Sequence, residues 1–200
     1  MAESAGIIMD RGVLILICLN FIYIALLPVL FFKKDGGLNW KWLATSTPFG
    51  ICPLSLIASY QGLLPRLTGD ATPWGSFSDT LPIFLSSASI ALISYTLGTH
   101  KIPIALWHQN NDAPQSIVTY GAYKWIRHPF YASFLIAFSS AFLYAPQLLT
   151  IACLIYGLIA LNLTAAREEK RLCQSDFGQE YQRYMDRTGR FLPKFLGKAG

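Results

Sequence analysis

Residues 12–32 form a stretch of twenty-one residues without a charged side chain. At about 1.5 Å of rise per residue, a helix of this length crosses the roughly 30 Å hydrocarbon core of a bilayer. The whole chain of 200 residues is 53% hydrophobic and 14% charged, whereas about 25% of the residues in a soluble domain are charged. The sequence therefore predicts an integral membrane protein.

Four more apolar segments follow the first, at residues 42–64, 81–98, 130–145 and 148–166. Proline and glycine interrupt the second segment, which membrane helices tolerate when neighbouring helices satisfy the backbone. Pro146 separates the last two segments, so we expect a tight antiparallel hairpin over residues 129–166. The predicted fold class is an all-α integral membrane protein with about five transmembrane helices and a cytoplasmic C-terminal helical tail.

The basic residues indicate which ends of the segments face the cytoplasm. Five crossings place fourteen of the sixteen lysines and arginines on one side and leave Arg11 and Arg66 on the other. Because positively charged loops stay in the cytoplasm, we expect the N-terminus outside and the C-terminus inside, in a cell inner membrane or the endoplasmic reticulum. This arrangement accounts for the net charge of +5 without a nucleic-acid partner.

The cysteines give no sign of a metal site or a disulfide framework. They are far apart in the sequence, and no Cys-x-x-Cys pair or histidine-rich spacing accompanies them. We therefore predict no metal cofactor.

The segment 121–131 carries the densest chemistry in the chain. Arg127 offers a planar fork of donors to a carboxylate or phosphate, and His128 donates or accepts near neutral pH. Pro129 suits the first position of a helix, and the amides of a helix N-terminus favour an anion. This end of the hairpin is therefore expected to bind negative charge.

Glu168 and Glu169 follow the second arm of the same hairpin, so an antiparallel turn returns them to the cytoplasmic side at the depth of residues 121–131. Carboxylates at a helix C-terminus oppose the helix dipole, which indicates that they meet a cation. A site that binds an anion with one group and a cation with another suits an amino-acid zwitterion. The rings of Tyr123 and Tyr131 suit a purine or a sulfonium. A solvated charge pair beside Arg167 and a plain helix start at 127–129 are the simpler alternatives.

The C-terminal half resembles the isoprenylcysteine carboxyl methyltransferase family and related phospholipid methyltransferases. Four motifs carry the resemblance over roughly the last ninety residues. They are Gly-x-Tyr-x-x-x-Arg-His-Pro-x-Tyr at 121–131, Arg-Glu-Glu-x-x-Leu at 167–172, Phe-Gly-x-x-Tyr-x-x-Tyr at 177–184 and Arg-Phe-Leu-Pro at 190–193. Ser133 stands where the family usually has glycine.

The resemblance implies a membrane enzyme that uses S-adenosylmethionine and methylates a lipid-like or prenylated acceptor entering from the bilayer. It divides the chain into a three-helix scaffold, 1–98, and a cofactor-binding region, 99–200, which are expected to form one structural domain. The implied catalytic residues are Arg190, His128 and Glu168. The implied cofactor-binding residues are Tyr120, Gly121, Tyr123, Arg127, His128, Pro129, Tyr131, Glu168 and Glu169.

Two other functions fit parts of the pattern. Membrane sterol reductases carry a similar Arg-His-Pro-x-Tyr motif and bind NADPH, although they are usually longer. A non-catalytic membrane scaffold would need neither cofactor.

The tail is also predicted to form a helix that begins with a capping box at Asp176 and Gln179 and carries Tyr181 and Tyr184 on one face.

Overall fold

A computed structural model describes residues 2–26, 37–38, 40–67, 77–99 and 117–194. The elements are α1 (Ala2–Ala25), α2 (Trp40–Tyr60), α3 (Phe77–Thr99), a 3₁₀ turn (Gly121–Lys124), α4 (Pro129–Tyr144), α5 (Leu148–Cys173) and α6 (Gly178–Arg187). These ranges contain no strand, and one isolated parallel bridge joins Ile126 to Gly189. The predicted all-α class is confirmed.

All five predicted apolar segments contain a helix, with bounds that differ from the prediction. Two helices of the described ranges are long and apolar enough to cross a membrane, Thr80–Thr99 and Leu148–Cys173. Arg11–Ala25 and Pro129–Tyr144 are shorter apolar helices. The end of the first predicted span, after Leu26, lies outside the described residues. Five crossings and the orientation of the termini therefore stay predictions.

Helix α4 lies at the centre of the bundle and contacts α1, α2, α3 and α5. Its inward face carries alanine and serine alternating with phenylalanine, and Ala137, Phe138 and Ala141 are completely buried. The ring of Phe138 packs 5.4 Å from that of Phe21 and 4.8 Å from that of Phe49. Small residues let the helix backbones approach, and the aromatic rings fill the space between them.

A seam of neutral polar side chains connects α1, α3 and α4 inside the bundle. Ser86 and Ser140 lie 3.0 Å apart between their hydroxyl oxygens. The hydroxyl of Ser89 donates to the carbonyl of Ser133 at 2.9 Å, and its oxygen lies 3.3 Å from the side-chain oxygen of Asn20. Asn20 is fully buried, and its side-chain amide donates to the carbonyl of Ser86 on α3 at 3.5 Å.

The hairpin of α4 and α5 turns through three residues, Ala145 to Gln147, as the proline predicted. Thr150 closes the turn by donating to the carbonyl of Ala145 at 2.8 Å. The predicted end of the fifth helix at residue 166 is wrong, because α5 continues to Cys173. Glu168 and Glu169 thus lie on its last two turns, which fixes both carboxylates on a rigid element.

Helix α6 confirms one expectation for the tail and contradicts another. Tyr181 and Tyr184 are buried, as the amphipathic pattern predicted. The capping box is wrong: the helix starts at Gly178, its N-cap is Phe177, and no side chain caps it. Asp176 therefore lies one residue too early to act as the N-cap.

Candidate functional site

Glu169 is held by two arginines at the polar end of the hairpin. Arg127 donates through Nε to Oε1 at 2.9 Å, and Arg190 donates through Nε to Oε1 at 3.1 Å and through a terminal nitrogen to Oε2 at 2.5 Å. The Glu169 side chain is 5% exposed. We call these three residues the clasp. Paired donors on both oxygens satisfy a carboxylate that would be costly to bury alone.

The clasp ties the tail to the start of α4. The amides of Arg127 and His128 donate to the carbonyls of Gly189 and Arg190 at 2.8 and 3.0 Å. The Arg127 guanidinium also donates to the carbonyl of Thr188. At Gly189 the chain turns so tightly that a Cβ would overlap the carbonyl oxygen of Leu192. Segment 188–191 is therefore fixed along the predicted anion-binding end of the hairpin.

Glu168 has different surroundings from its neighbour. It accepts a hydrogen bond from the hydroxyl of Tyr131 at 2.8 Å, and its Oε2 lies 3.5 Å from Nδ1 of His128. The Glu168 side chain is 26% exposed, about five times the fraction of Glu169. Glu168 is thus the carboxylate of the pair that remains accessible to a ligand.

His128 lies between the two carboxylates. Its ring stacks on Tyr131 with the centroids 5.1 Å apart and the planes 4° apart. Its Nε2 lies 3.3 Å from Oε1 of Glu169 but makes no hydrogen bond within the described residues. Burial lowers the pKa of His128, Glu169 opposes that shift, and Arg127 and Arg190 add to it. The imidazole is therefore neutral at neutral pH.

The 3₁₀ turn brings Tyr123 to the same end of the bundle. Gly121 has a φ of +60°, and a Cβ there would overlap the side chain of Thr99, so this position requires glycine. Burial, followed by the charge of Glu168, raises the pKa of Tyr123 to about 12. Tyr120 does not join the cluster, because its side chain points away from the protein and is exposed.

Pro129 and Ser133 have structural roles at the first turns of α4. Pro129 is fully buried near the N-terminus of the helix, as predicted. Ser133 is also completely buried, and its hydroxyl donates to the carbonyl of Phe130 at 2.7 Å. Its own carbonyl accepts the bond from Ser89. The serine in place of the family glycine therefore fits the packing of α3 against α4.

Two residues beside the site were not assigned to it from the sequence. Asn162 accepts a bond from Arg190 at 2.6 Å, and the ring of Phe191 lies 6.3 Å from His128. Asn162 precedes Glu169 by seven residues, two helical turns, so both lie on one face of α5. The seven-residue spacing from Glu169 could have predicted that Asn162 lies beside the site. The Arg-Phe-Leu-Pro motif could have predicted the same for Phe191.

Residues 99–174 match the model of the isoprenylcysteine carboxyl methyltransferase (ICMT) family. The predicted resemblance is confirmed. The ICMT-like region contains the 3₁₀ turn, the hairpin of α4 and α5 and both carboxylates. Arg190, the second arginine of the clasp, lies beyond it.

A curated relative is the methanethiol S-methyltransferase of Pseudomonas sp. (strain GM41(2012)). It is 28% identical over 148 residues, which cover 70% of this chain and 54% of the relative. The chain thus spans about half the length of that protein. The family match, the relative's name and the apolar helices together support a membrane methyltransferase.

Proposed function

We propose that this chain is an S-adenosylmethionine-dependent membrane methyltransferase whose cofactor binds at the polar end of the α4–α5 hairpin. One observation supports this most directly: Glu168, Tyr131 and His128 converge inside the ICMT-like region, and Glu168 is partly exposed. Such a group, with a neutral imidazole and aromatic rings, suits a ligand that carries an ammonium group and a sulfonium.

The residues present fit this cofactor on two grounds. Nε2 of His128 is a buried polar atom without a hydrogen-bond partner in the described residues, so one hydrogen bond of the neutral ring is left unmade beside the site. Glu168 has lone pairs beyond the one that Tyr131 occupies. We assign the amino group of the cofactor to Glu168 and its aromatic contacts to Tyr123 and Tyr131.

Glu169 and Arg127 take a different role in this proposal. Their charges are already paired with each other and with Arg190. The guanidinium of Arg127 also donates a hydrogen bond to the backbone carbonyl of Thr188 in the tail. These residues therefore position the tail over the site, and they do not hold the charged ends of the cofactor.

The cofactor supplies an electrophilic methyl group on a positively charged sulfur, and transfer is an in-line displacement. The chain contributes alignment and the exclusion of bulk water. Segment 188–191 covers one side of the site through its bonds to Arg127 and His128. No covalent nucleophile of the protein is needed.

The acceptor that we propose is a lipid-like molecule, with a small thiol as the second candidate. Arg190 and Asn162 lie toward the exposed side of α5, beside exposed Leu163 and Leu192, which suits an amphiphile that arrives from the bilayer. The relative's name favours a thiol. A carboxylate acceptor is already ionised at pH 7, whereas a thiol must lose a proton.

Calorimetric titration of the detergent-purified chain tests the cofactor. We expect saturable binding of S-adenosylhomocysteine and none of NADPH. Binding of NADPH alone would instead favour the reductase, and binding of neither would favour a non-catalytic scaffold.

Methyl transfer from labelled S-adenosylmethionine then tests the acceptor. Methanethiol and a farnesylated cysteine derivative are the two probes. With the thiol, the rate should rise with pH toward the thiol pKa; with the carboxylate, it should be flat near neutral pH. Label in the farnesylated probe supports the lipid-like acceptor.

A further inference from the structure

The 3₁₀ turn and the residues on either side of it present three side chains that the candidate site does not use. Tyr120 is 61% exposed and Trp125 is 59% exposed. Lys124 is exposed as well, and its ammonium lies 5.4 Å from the centroid of the Trp125 ring. We call Tyr120, Lys124 and Trp125 the outer face of the turn. Two aromatic rings and a cation in one exposed group require an explanation.

The depth of this turn is fixed by α3. Gly121 lies directly against Thr99, and the amide of Ala122 donates to the hydroxyl of Thr99 at 3.4 Å. Thr99 is the last residue of the candidate membrane span Thr80–Thr99. The turn therefore lies at the level where α3 leaves the hydrocarbon core.

The inner face of the turn is occupied by the protein. Ala122 is buried, and the carbonyl of Tyr123 accepts a bond from the hydroxyl of Tyr184 at 2.6 Å. Contacts with α3 and α6 thus hold the turn from within. The outer face is left to point away from the bundle at the boundary between hydrocarbon and water.

We propose that Tyr120, Lys124 and Trp125 bind the lipid headgroup layer, with Lys124 selecting anionic headgroups. Tryptophan and tyrosine favour this layer because one end of each side chain is apolar and the other hydrogen-bonds. A lysine near an anionic membrane surface gains about 1 kcal/mol, which corresponds to about a five-fold preference. The Lys124 ammonium lies over the face of the Trp125 ring, so a cation and an amphipathic ring stand together at this boundary.

This contact has a consequence for the site. Trp125 precedes Arg127 by two residues and His128 by three, so a turn held at the headgroup layer fixes their depth as well. The site would then face both the water that supplies a polar cofactor and the bilayer that supplies an apolar acceptor. The lipid contact itself does not depend on methyl transfer.

Fluorescence quenching in nanodiscs tests the proposal. The parent and Trp125→Phe are placed in discs that contain phosphatidylcholine or phosphatidylglycerol brominated near the headgroup, and the difference in emission belongs to Trp125. We expect brominated lipid to quench Trp125, with about a five-fold preference for phosphatidylglycerol. Lys124→Gln should abolish the preference, and Lys124→Arg should retain it.

Lys170→Gln is the matched control, because it removes the same charge from an exposed lysine on the last turns of α5. It should leave the preference of Trp125 for phosphatidylglycerol intact. If brominated lipids fail to quench Trp125, or if aqueous acrylamide quenches it as fully as free indole, the turn faces water or another protein and the proposal is overturned. Equal loss of preference in Lys124→Gln and Lys170→Gln would overturn the role of Lys124.

Discussion

The polar seam inside the bundle and the clasp at its end bury polar groups in opposite ways. The seam uses neutral hydroxyls and one amide, with Ser89 bonded to Asn20 and Ser133. The clasp uses full charges, with Glu169 held between Arg127 and Arg190. Both sets are largely or completely buried, yet no residue of the seam carries a charge.

The difference follows from the cost of charge in a low dielectric. An ionised side chain in the middle of a bilayer is expensive, whereas a hydroxyl costs little once it is bonded. Glu169 and Arg190 of the clasp lie past residue 166, beyond the apolar part of α5, and Arg127 lies just before α4. Arg190 keeps contact with solvent. Full charges are thus confined to the end of the bundle that the candidate site occupies.

Glu169→Gln should have the largest effect on stability. It leaves Arg127 and Arg190 without their counter-charge, which costs about 3 kcal/mol for a buried pair. The melting temperature in detergent should fall, and trypsin should cleave faster at exposed Arg183 and Arg187 as the tail is released. Glu168→Gln is the matched control, and a loss of stability as large as that of Glu169→Gln would contradict the clasp.

Glu168→Gln should have the larger effect on cofactor binding. If Glu168 receives the amino group of S-adenosylhomocysteine, its loss should weaken binding by about 1 to 3 kcal/mol, or about five- to 150-fold. Calorimetry with Glu180→Gln, an exposed carboxylate of α6, as the control measures this difference. Unchanged affinity would remove Glu168 from the cofactor site.

The contribution of His128 to stability should become unfavourable as the pH falls below its usual pKa of 6.5. Burial holds the pKa of His128 lower in the folded protein, so the unfolded chain binds the proton first and the folded state loses stability, by at most about 1.4 kcal/mol per pH unit. Glu168, Glu169, Arg127 and Arg190 all face this ring.

The matched variant for this pH effect is His128→Asn. Between pH 7 and pH 5 the parent should lose more stability relative to His128→Asn as the pH falls, and unfolding curves of the two proteins measure this difference. The difference contains the titration of His128 and its coupling to Glu168 and Glu169, which lie against the ring. Equal slopes would show that His128 keeps its ordinary affinity for protons.

Ser89→Ala should have the smallest effect and tests the seam. It removes the hydroxyl that lies between Asn20 and the carbonyl of Ser133. Hydrogen bonds between membrane helices contribute about 0.6 kcal/mol on average. The control is Ser139→Ala, whose hydroxyl bonds the carbonyl of Leu135 in its own helix. A cost above that of Glu169→Gln would reverse the order of the two regions.

The sequence predicted the helices better than their ends. Uncharged apolar segments located α1 to α5, and the amphipathic tyrosines located α6. Pro129 and Pro146 marked where α4 begins and the hairpin turns. The end of α5 was predicted too early, at residue 166, because the uncharged segment stops there. Arg167, Glu168 and Glu169 continue the helix, since charged residues form helices readily. The start of α6 was also predicted too early. Asp176 and Gln179 have the spacing of a capping box, but the N-cap is Phe177 and no side chain caps the helix.

The sequence by itself determined the class of the protein and the residues of its candidate site. Long uncharged segments require helices in a bilayer, and the motifs at 121–131 and 167–172 named the charged and aromatic groups. From the residues alone, Glu168 and Glu169 were a single carboxylate pair, because adjacent residues of one type have the same local signal. Only the family resemblance added a catalytic role for Glu168.

The tertiary structure decided how the two carboxylates differ. Adjacent positions on a helix point about 100° apart, so Glu169 faces the arginines of α4 and the tail while Glu168 faces Tyr131 and His128. The choice of partner depends on where segment 188–191 crosses the hairpin. That crossing is a contact between distant parts of the chain, and for this reason local sequence could not specify it.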